Sequence, residues 1–224
     1  MLRVGTRPSP LAIKQIDELK RLFPMIDFEM VAISTQGDKD KITPLIQVEG
    51  DDFFTKEIDQ ALLKGEIDIA LHSSKDLPDK LNAELKVVLE TKSISSLDAL
   101  VSKDRLKLMD LPYAARVGTS SERRKYQIRV LRQDLTLVDV RGNIGERLNL
   151  IEAGRIDALV VAQAALIRLG LTHMISEIFK ADSFTTHPKQ GSLALVIRED
   201  QWQKVRSILL EQAPEIGNLL PLKA

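Results

Sequence analysis

The sequence predicts an α/β protein built as two similar lobes. Three observations carry this. Apolar runs of strand length alternate with helical periodicities along the chain, the pattern of parallel sheets covered on both faces. Arg3-Val4-Gly5-Thr6 returns as Arg116-Val117-Gly118-Thr119, each time followed by serine and a helical pattern. Lys64-Gly65-Glu66-Ile67-Asp68 returns in kind as Ala153-Gly154-Arg155-Ile156-Asp157, each time followed by an apolar strand. Two short matches in the same order point to two halves with one plan.

In each half the order reads strand, Gly-Thr/Ser turn, helix, strand, polar loop, helix, Gly, strand. Ser9-Pro10 starts the first helix, with serine as N-cap and proline at the first helical position. Leu11, Ile16, Leu19 and Leu22 give that helix an apolar face. Phe28–Ile33 reads as a strand and Thr55–Lys64 as a short helix ended by Gly65. Ile67–Leu71 is a buried strand that runs into the polar stretch His72-Ser73-Ser74-Lys75-Asp76, where Pro78 restricts Leu77. Strand ends of this kind are where open α/β sheets place their chemistry.

In the second half Thr119-Ser120-Ser121 caps a helix reaching about Arg132, and Leu135–Val140 is a strand. After the loop Arg141-Gly142-Asn143, a helix ends at Gly154 and Ala158–Ala162 forms a buried strand. Ser192–Ile197 is a further strand, and Asp200–Gln212 a terminal helix containing Trp202. This tail is expected to return to the first half. The predicted domains are 1–92 plus 183–224 and 93–182, with two chain crossovers and a cleft between the lobes.

Composition narrows the function. Among 224 residues, 44% are hydrophobic and 29% charged, and no apolar run approaches the ~18 residues of a membrane span. Met1-Leu2-Arg3-Val4-Gly5 lacks the apolar core of a signal peptide, so a cytoplasmic location is expected, without membrane partners. Cysteine is absent, which excludes disulfides, thiolate metal sites, cysteine nucleophiles and thioether-linked cofactors. His72, His173 and His187 show no ligand spacing, so no metal is expected. Net charge is zero and aromatic residues are few, against a nucleic-acid role. Residues 115–155 nevertheless carry nine basic against five acidic side chains, and eight of the nine are arginine. Arginine suits bidentate capture of carboxylate or phosphate.

The polar clusters fall at strand ends. Val117-Gly118-Thr119-Ser120-Ser121-Glu122-Arg123-Arg124 puts a glycine turn and three hydroxyls at a helix N-terminus, where backbone N–H groups favour an anion. Arg123 and Arg124 oppose the helix dipole there, which suggests a use other than helix stability. Arg141 and Arg147 flank the next turn, and Arg7 and Ser9 hold the matching turn of the first half. There is no Walker phosphate loop and no dinucleotide fingerprint. Many arginines around one acid suit a small polyanionic ligand that also bears a group needing a carboxylate.

These residues resemble the porphobilinogen deaminase (hydroxymethylbilane synthase) family. The matching stretches are Gly5-Thr6-Arg7-Pro8-Ser9-Pro10-Leu11-Ala12, Thr35-Gln36-Gly37-Asp38, Phe54-Thr55-Lys56-Glu57 and His72–Pro78. They continue with Val117–Arg124, Arg141–Leu148, Arg168-Leu169-Gly170-Leu171 and Gln190-Gly191-Ser192-Leu193, in family order. The resemblance implies two lobes of the periplasmic-binding-protein type. It also implies a tetrapyrrole-pathway transferase that joins four porphobilinogen units into hydroxymethylbilane and releases ammonia. It implies Asp76 as the catalytic carboxylate with Lys75 beside it. Substrate and cofactor groups would be bound by Arg7, Ser9, Ser73, Thr119, Ser120, Ser121, Arg123, Arg124, Arg141, Gly142, Arg147 and Gln190. The implied cofactor is a dipyrromethane, held non-covalently because no cysteine is available, and the implied substrate partner is porphobilinogen. A monomer is expected.

Three departures from the family pattern stand out. The family's third domain would follow the segment matching Asp200–Gln212, and the sequence stops at Ala224, so a shortened form is expected. The primer cysteine of that domain has no counterpart. The family's Gly-Lys-Gly reads Gly50-Asp51-Asp52 here, with two acids in a basic position. Two other readings of the residues stay open: an inactive binder of porphobilinogen or a linear tetrapyrrole, and a two-lobed binding module for another small anion.

Overall fold

A computed structural model describes residues 1–40, 43 and 52–212. These divide into two compact units, the first holding 1–40, 52–94 and 192–212, the second 43 and 95–191. The first unit begins with β1 (Leu2–Thr6), α1 (Pro10–Leu22), β2 (Phe28–Ala32), α2 (Gln36–Lys39), α3 (Lys56–Leu63), β3 (Ile69–Ser73) and β4 (Leu85–Glu90). The second holds β5 (Asp98–Ser102), β6 (Arg116–Gly118), α4 (Glu122–Leu131), β7 (Thr136–Val138), α5 (Ile144–Glu152), β8 (Ala158–Ala162), α6 (Gln163–Leu169) and β9 (Glu177–Ile178). The chain then returns to the first unit as β10 (Leu193–Arg198) and α7 (Trp202–Gln212).

Local chemistry sets the helix ends. The Ser9 hydroxyl accepts from the Ala12 N–H at 3.2 Å, Pro10 opens α1, and Lys20 and Arg21 sit in its last turn, where cations complement the dipole. Asn143 and Glu146 form a reciprocal capping box on α5. α6 stops at Gly170, whose φ of 71° is the left-handed conformation that glycine adopts without penalty.

The expectation of parallel sheets is corrected: both five-stranded sheets are mixed. The first runs β2-β1-β3-β10-β4, with β1 parallel to β2 and β3 but β10 antiparallel to β3 and β4. The second runs β7-β6-β8-β5-β9, with β6 parallel to β7 and β8 but β5 antiparallel to β8 and β9. A crossover helix forces parallel pairing only between the strands it joins. β5 and β10 each enter straight from the other unit, so nothing imposes that direction on them. β4 and β5 had no place in the sequence reading, and the β7 strand is shorter than the Leu135–Val140 run. Gly50 and Asp51 of the departing loop lie outside the described residues.

Successive strand side chains point to opposite faces, and in each sheet both faces are packed. In the first unit Ile69 and Leu71 of β3 pack with Leu19 of α1 and Val205 and Leu209 of α7, while Ala70 packs with Ile58 and Leu62 of α3. In the second, Ala158 and Val160 of β8 join Ile128 of α4. Leu159 and Val161 join Leu148 of α5 and Leu166 of α6. No helix among the described residues is long and apolar enough to cross a membrane.

The sequence repeat is a structural repeat at atomic level. Arg3 donates from its backbone N–H (2.8 Å) and Nε (3.1 Å) to Asp68 Oδ2 and from Nη2 to Oδ1 (2.9 Å), while Asp68 N–H returns a bond to Arg3 O (2.9 Å). Arg116 and Asp157 make the same four bonds at 2.7, 3.0, 2.9 and 2.8 Å. In both pairs the arginine hydrogen bonds hold the aspartate pKa below its usual value. Beside each clasp a strand glycine admits an isoleucine: a Cβ at Gly5 would collide with Ile67, and one at Gly118 would lie 2.8 Å from Ile156.

Candidate functional site

β1 and β3 are parallel neighbours in register, Val4 opposite Ile69 and Gly5 opposite Ala70. The residues that follow them, Arg7 and Ser73–Asp76, therefore leave the sheet at one edge, the carboxyl end of the strands. The buried Thr6 hydroxyl ties the two strands by donating to Leu71 O at 3.2 Å.

Arg7 is aimed by two groups. Its Nε and Nη2 donate to Asp38 Oδ1 at 2.9 and 2.5 Å, and its guanidinium carbon lies 4.6 Å from the centroid of the Phe54 ring. Asp38 Oδ2 accepts from the Thr35 N–H (3.1 Å) and hydroxyl (2.9 Å). Between them Gly37 gives Phe54 room, since a Cβ there would collide with the ring. Burial pushes the Asp38 carboxyl up, but the Arg7 and Thr35 hydrogen bonds outweigh it and hold the pKa below the usual carboxylate value. A carboxylate with a depressed folded pKa contributes stability above its unfolded pKa of about 4, lost as pH falls through the folded value. Replacing Asp38 by Asn is therefore expected to flatten the fall of the urea midpoint of the first unit below pH 4. An unchanged slope would show that the pair contributes nothing.

The other predicted residues of this edge have varied surroundings. Ser9 caps α1, and the Ser73 hydroxyl accepts from Gln15 Nε2 at 2.9 Å. His72 is buried with Nε2 3.3 Å from Asp59 Oδ1. Ser74–Asp76 form one 3-10 turn, anchored by Ser74 N–H on Ser192 O at 3.0 Å. The Ser74 hydroxyl is buried without a hydrogen-bond partner among the described residues. Lys75 and Asp76 are half-buried, and Asp76 enters no ion pair among the described residues.

In the second unit the turn after β6 is pinned by its own hydroxyls. Ser120 Oγ donates to Val140 O (2.6 Å) and accepts from Val140 N–H (2.9 Å). Thr119 Oγ1 accepts from Ser121 N–H at 3.3 Å, and Ser121 caps α4. Arg147 Nε donates to Gly142 O at 2.8 Å, which folds it back onto the turn that carries Arg141. Gly142 has φ 94°, closed to ordinary side chains. Arg123 is exposed and enters no ion pair among the described residues.

Arg124 and Gln190 are placed differently from the rest. Arg124 Nε and Nη2 grip both oxygens of Asp98 at 3.0 and 2.7 Å, and Nη1 reaches Val160 O at 3.3 Å. The side chains of Arg124 and Asp98 are 12% and 3% exposed. Gln190 Nε2 donates to Ser96 O, Leu97 O and Asp98 Oδ1 at 3.0, 3.1 and 2.8 Å. Arg168 Nη2 holds Gly191 O at 2.8 Å. Asp98 thus answers the question of what keeps a cation in the first turn of α4. Of the nine basic residues in 115–155, Arg116, Arg124, Lys125 and Arg132 are held in ion pairs with Asp157, Asp98, Asp139 and Asp134. Sequence reasoning missed Asp38, Phe54 and Asp98. The first two lie in stretches it had singled out, but nothing local to Asp98 marks it.

Residues 2–206 match the family model described as porphobilinogen deaminase, dipyromethane cofactor binding domain. The chain is 42% identical over 204 residues to the porphobilinogen deaminase of Natranaerobius thermophilus, covering 89% of this chain and 66% of that one. It is 41% identical over 203 residues to that of Trichlorobacter lovleyi, covering 89% and 65%. The chain thus spans just under two thirds of the length of these curated relatives. Its fold is similar to that of a periplasmic substrate-binding protein of an ABC transporter from Coxiella burnetii, with TM-score 0.57, 14% identity and coverage of 95% and 91%.

Proposed function

Because this chain belongs to the porphobilinogen deaminase family, we propose that it binds porphobilinogen and joins pyrrole units with release of ammonia. One observation supports this most: Asp76, half-buried on the turn after β3 and in no ion pair among the described residues, beside an edge that carries Arg7. A site for carboxylates gains nothing from a lone acid, whereas the reaction needs one. When the carbon–nitrogen bond of the protonated aminomethyl group breaks, nitrogen leaves with the bonding pair as neutral ammonia. Positive charge is then shared with the pyrrole nitrogen, and a fixed carboxylate at hydrogen-bond distance stabilises it. The free α-carbon of the acceptor pyrrole attacks the electron-poor methylene, and the attacking carbon then gives its proton to water, which restores its aromatic ring.

The arginines fit the pyrrole acetates and propionates. Arg7 keeps 29% of its side chain exposed while Asp38 and Phe54 orient it. Arg123 is exposed, and Arg147 is held beside the Arg141 turn. The same donors fit a dipyrromethane, whose carboxylates ask for charge-assisted hydrogen bonds. Bound, it would supply a pyrrole α-carbon as the first acceptor. With no cysteine in the sequence, this chain would hold it by hydrogen bonds and ion pairs.

The test is to add porphobilinogen to the purified protein and take mass spectra under native and denaturing conditions. Bilane formation, with a dipyrromethane-sized mass lost on denaturation, is expected. Bound pyrrole without product would overturn the catalytic reading, and neither ligand nor product would overturn the whole of it.

A further inference from the structure

At the opposite end of the first sheet lies a second cluster of cations, around a cavity of about 110 Å³. Its walls include Arg3 at the start of β1, Gly65 and Asp68 before β3, Arg198 at the end of β10, and Lys204 in the first turn of α7. Arg3 and Arg7 bracket β1, so this cavity sits roughly 13 Å from the Arg7 edge at about 3.3 Å per residue.

The internal repeat supplies a control for what this cluster is for. The Arg116–Asp157 clasp of the second unit forms the same four bonds as Arg3–Asp68, with one further cation, Lys103, close enough to lower the Asp157 pKa where Lys204 acts on Asp68. The two nearby glycines do differ. A Cβ at Gly154 would meet nothing within 4 Å, whereas one at Gly65 would lie 2.9 Å from Arg198 Nη1. Arg198 therefore lies directly over Gly65, and the clasp does not need it. Arg198 is partly balanced by Asp200, which is 64% exposed, at 3.0 Å from Nε. Lys204 is exposed, enters no ion pair among the described residues, and is close enough to Asp68 to lower its pKa alongside Arg3. Arg3 is already matched by Asp68, with Glu29 also close enough to act on it, and Arg198 is held by both oxygens of Asp200, so Lys204 is the cation of this wall left without an ion pair among the described residues. A volume of this size holds several waters or one small oxyanion.

We propose that this cavity is a binding site for a small oxyanion of the phosphate type, seated between Arg198 and Lys204 over the Arg3–Asp68 clasp. It stands independently of the pyrrole chemistry proposed above. Placement of the aromatic residues makes the test specific to the unit. The single tryptophan, Trp202, lies in α7 between the cavity-lining Gln201 and Lys204, and both tyrosines, Tyr113 and Tyr126, lie in the second unit. The probe is inorganic phosphate, compared with potassium chloride at equal ionic strength, and the readout is urea unfolding. Phosphate is expected to raise the Trp202-reported midpoint. Arg198→Ala/Lys204→Ala should abolish that rise, and Arg7→Ala should keep it. Lys204→Glu, a change at an exposed residue, should abolish it as well, which keeps the test valid where the double variant folds poorly. No rise in the unmodified protein would overturn the proposal. So would a rise that Arg7→Ala removes and the cavity variants keep, because the anion would then be bound at the other end of the strands.

Discussion

Asp76→Asn is expected to lower the rate of porphobilinogen consumption by on the order of 100- to 1,000-fold while changing its binding by no more than about threefold. The substitution keeps the size of the side chain and its acceptor oxygen, and removes only the negative charge. Ground-state pyrrole is neutral at its nitrogen, so binding leans on the acetate and propionate contacts and is largely spared. Charge appears on the ring nitrogen only as ammonia departs, and there the missing carboxylate is felt. The 3-10 turn is anchored through Ser74 N–H on Ser192 O, which the variant leaves intact. The measurement is a parallel one, of equilibrium binding and of steady-state rate. Equal losses in both would make Asp76 a binding residue, and normal turnover would remove it from the mechanism.

Asp98→Ala is expected to destabilise the second unit by about 3–5 kcal/mol, the range for breaking a buried ion pair from one side. The substitution strands the Arg124 guanidinium, 12% exposed, with Val160 O and Gln190 as its remaining neighbours. It also deprives Gln190 Nε2 of its 2.8 Å acceptor. The tyrosine-reported urea midpoint should fall well below that of the unmodified protein. Replacing Arg124 as well, in Asp98→Leu/Arg124→Met, should recover much of the loss, because two apolar side chains leave no charge buried. A small effect of Asp98→Ala would mean that Arg124 is solvated in solution and available to a ligand instead.

The two predictions mark where sequence was informative and where it was not. Asp76 is legible because its neighbours in the chain are its neighbours in space: one turn holds Ser74, Lys75 and Asp76. The two-lobed plan is legible for a similar reason, since Gly5 and Gly118 answer to isoleucines in matching sequence contexts. Arg124 stands out in the sequence as a cation opposing its helix dipole, but its partner sits 26 residues earlier on a strand that no local pattern announced. Asp38 lies 31 residues from Arg7, and the charge of each is visible while the pairing is not. Strand direction is equally silent. Leu193–Arg198 reads as a buried strand in either sense, and only the path by which the chain enters the sheet decides that it runs against β3 and β4.

That strand has a consequence for how the chain comes together during synthesis. β10 lies between β3 and β4, so β4 has no strand neighbour in its sheet until residues 193–198 have been made. The other sheet is drawn wholly from residues 98–178 and can close earlier. The nascent protein must therefore carry its first half with an open seam, β3 paired to β1 on one side only and β4 to no strand, while the later-encoded unit matures. Translation order and folding order run opposite ways: the lobe that begins the chain is the last to be finished.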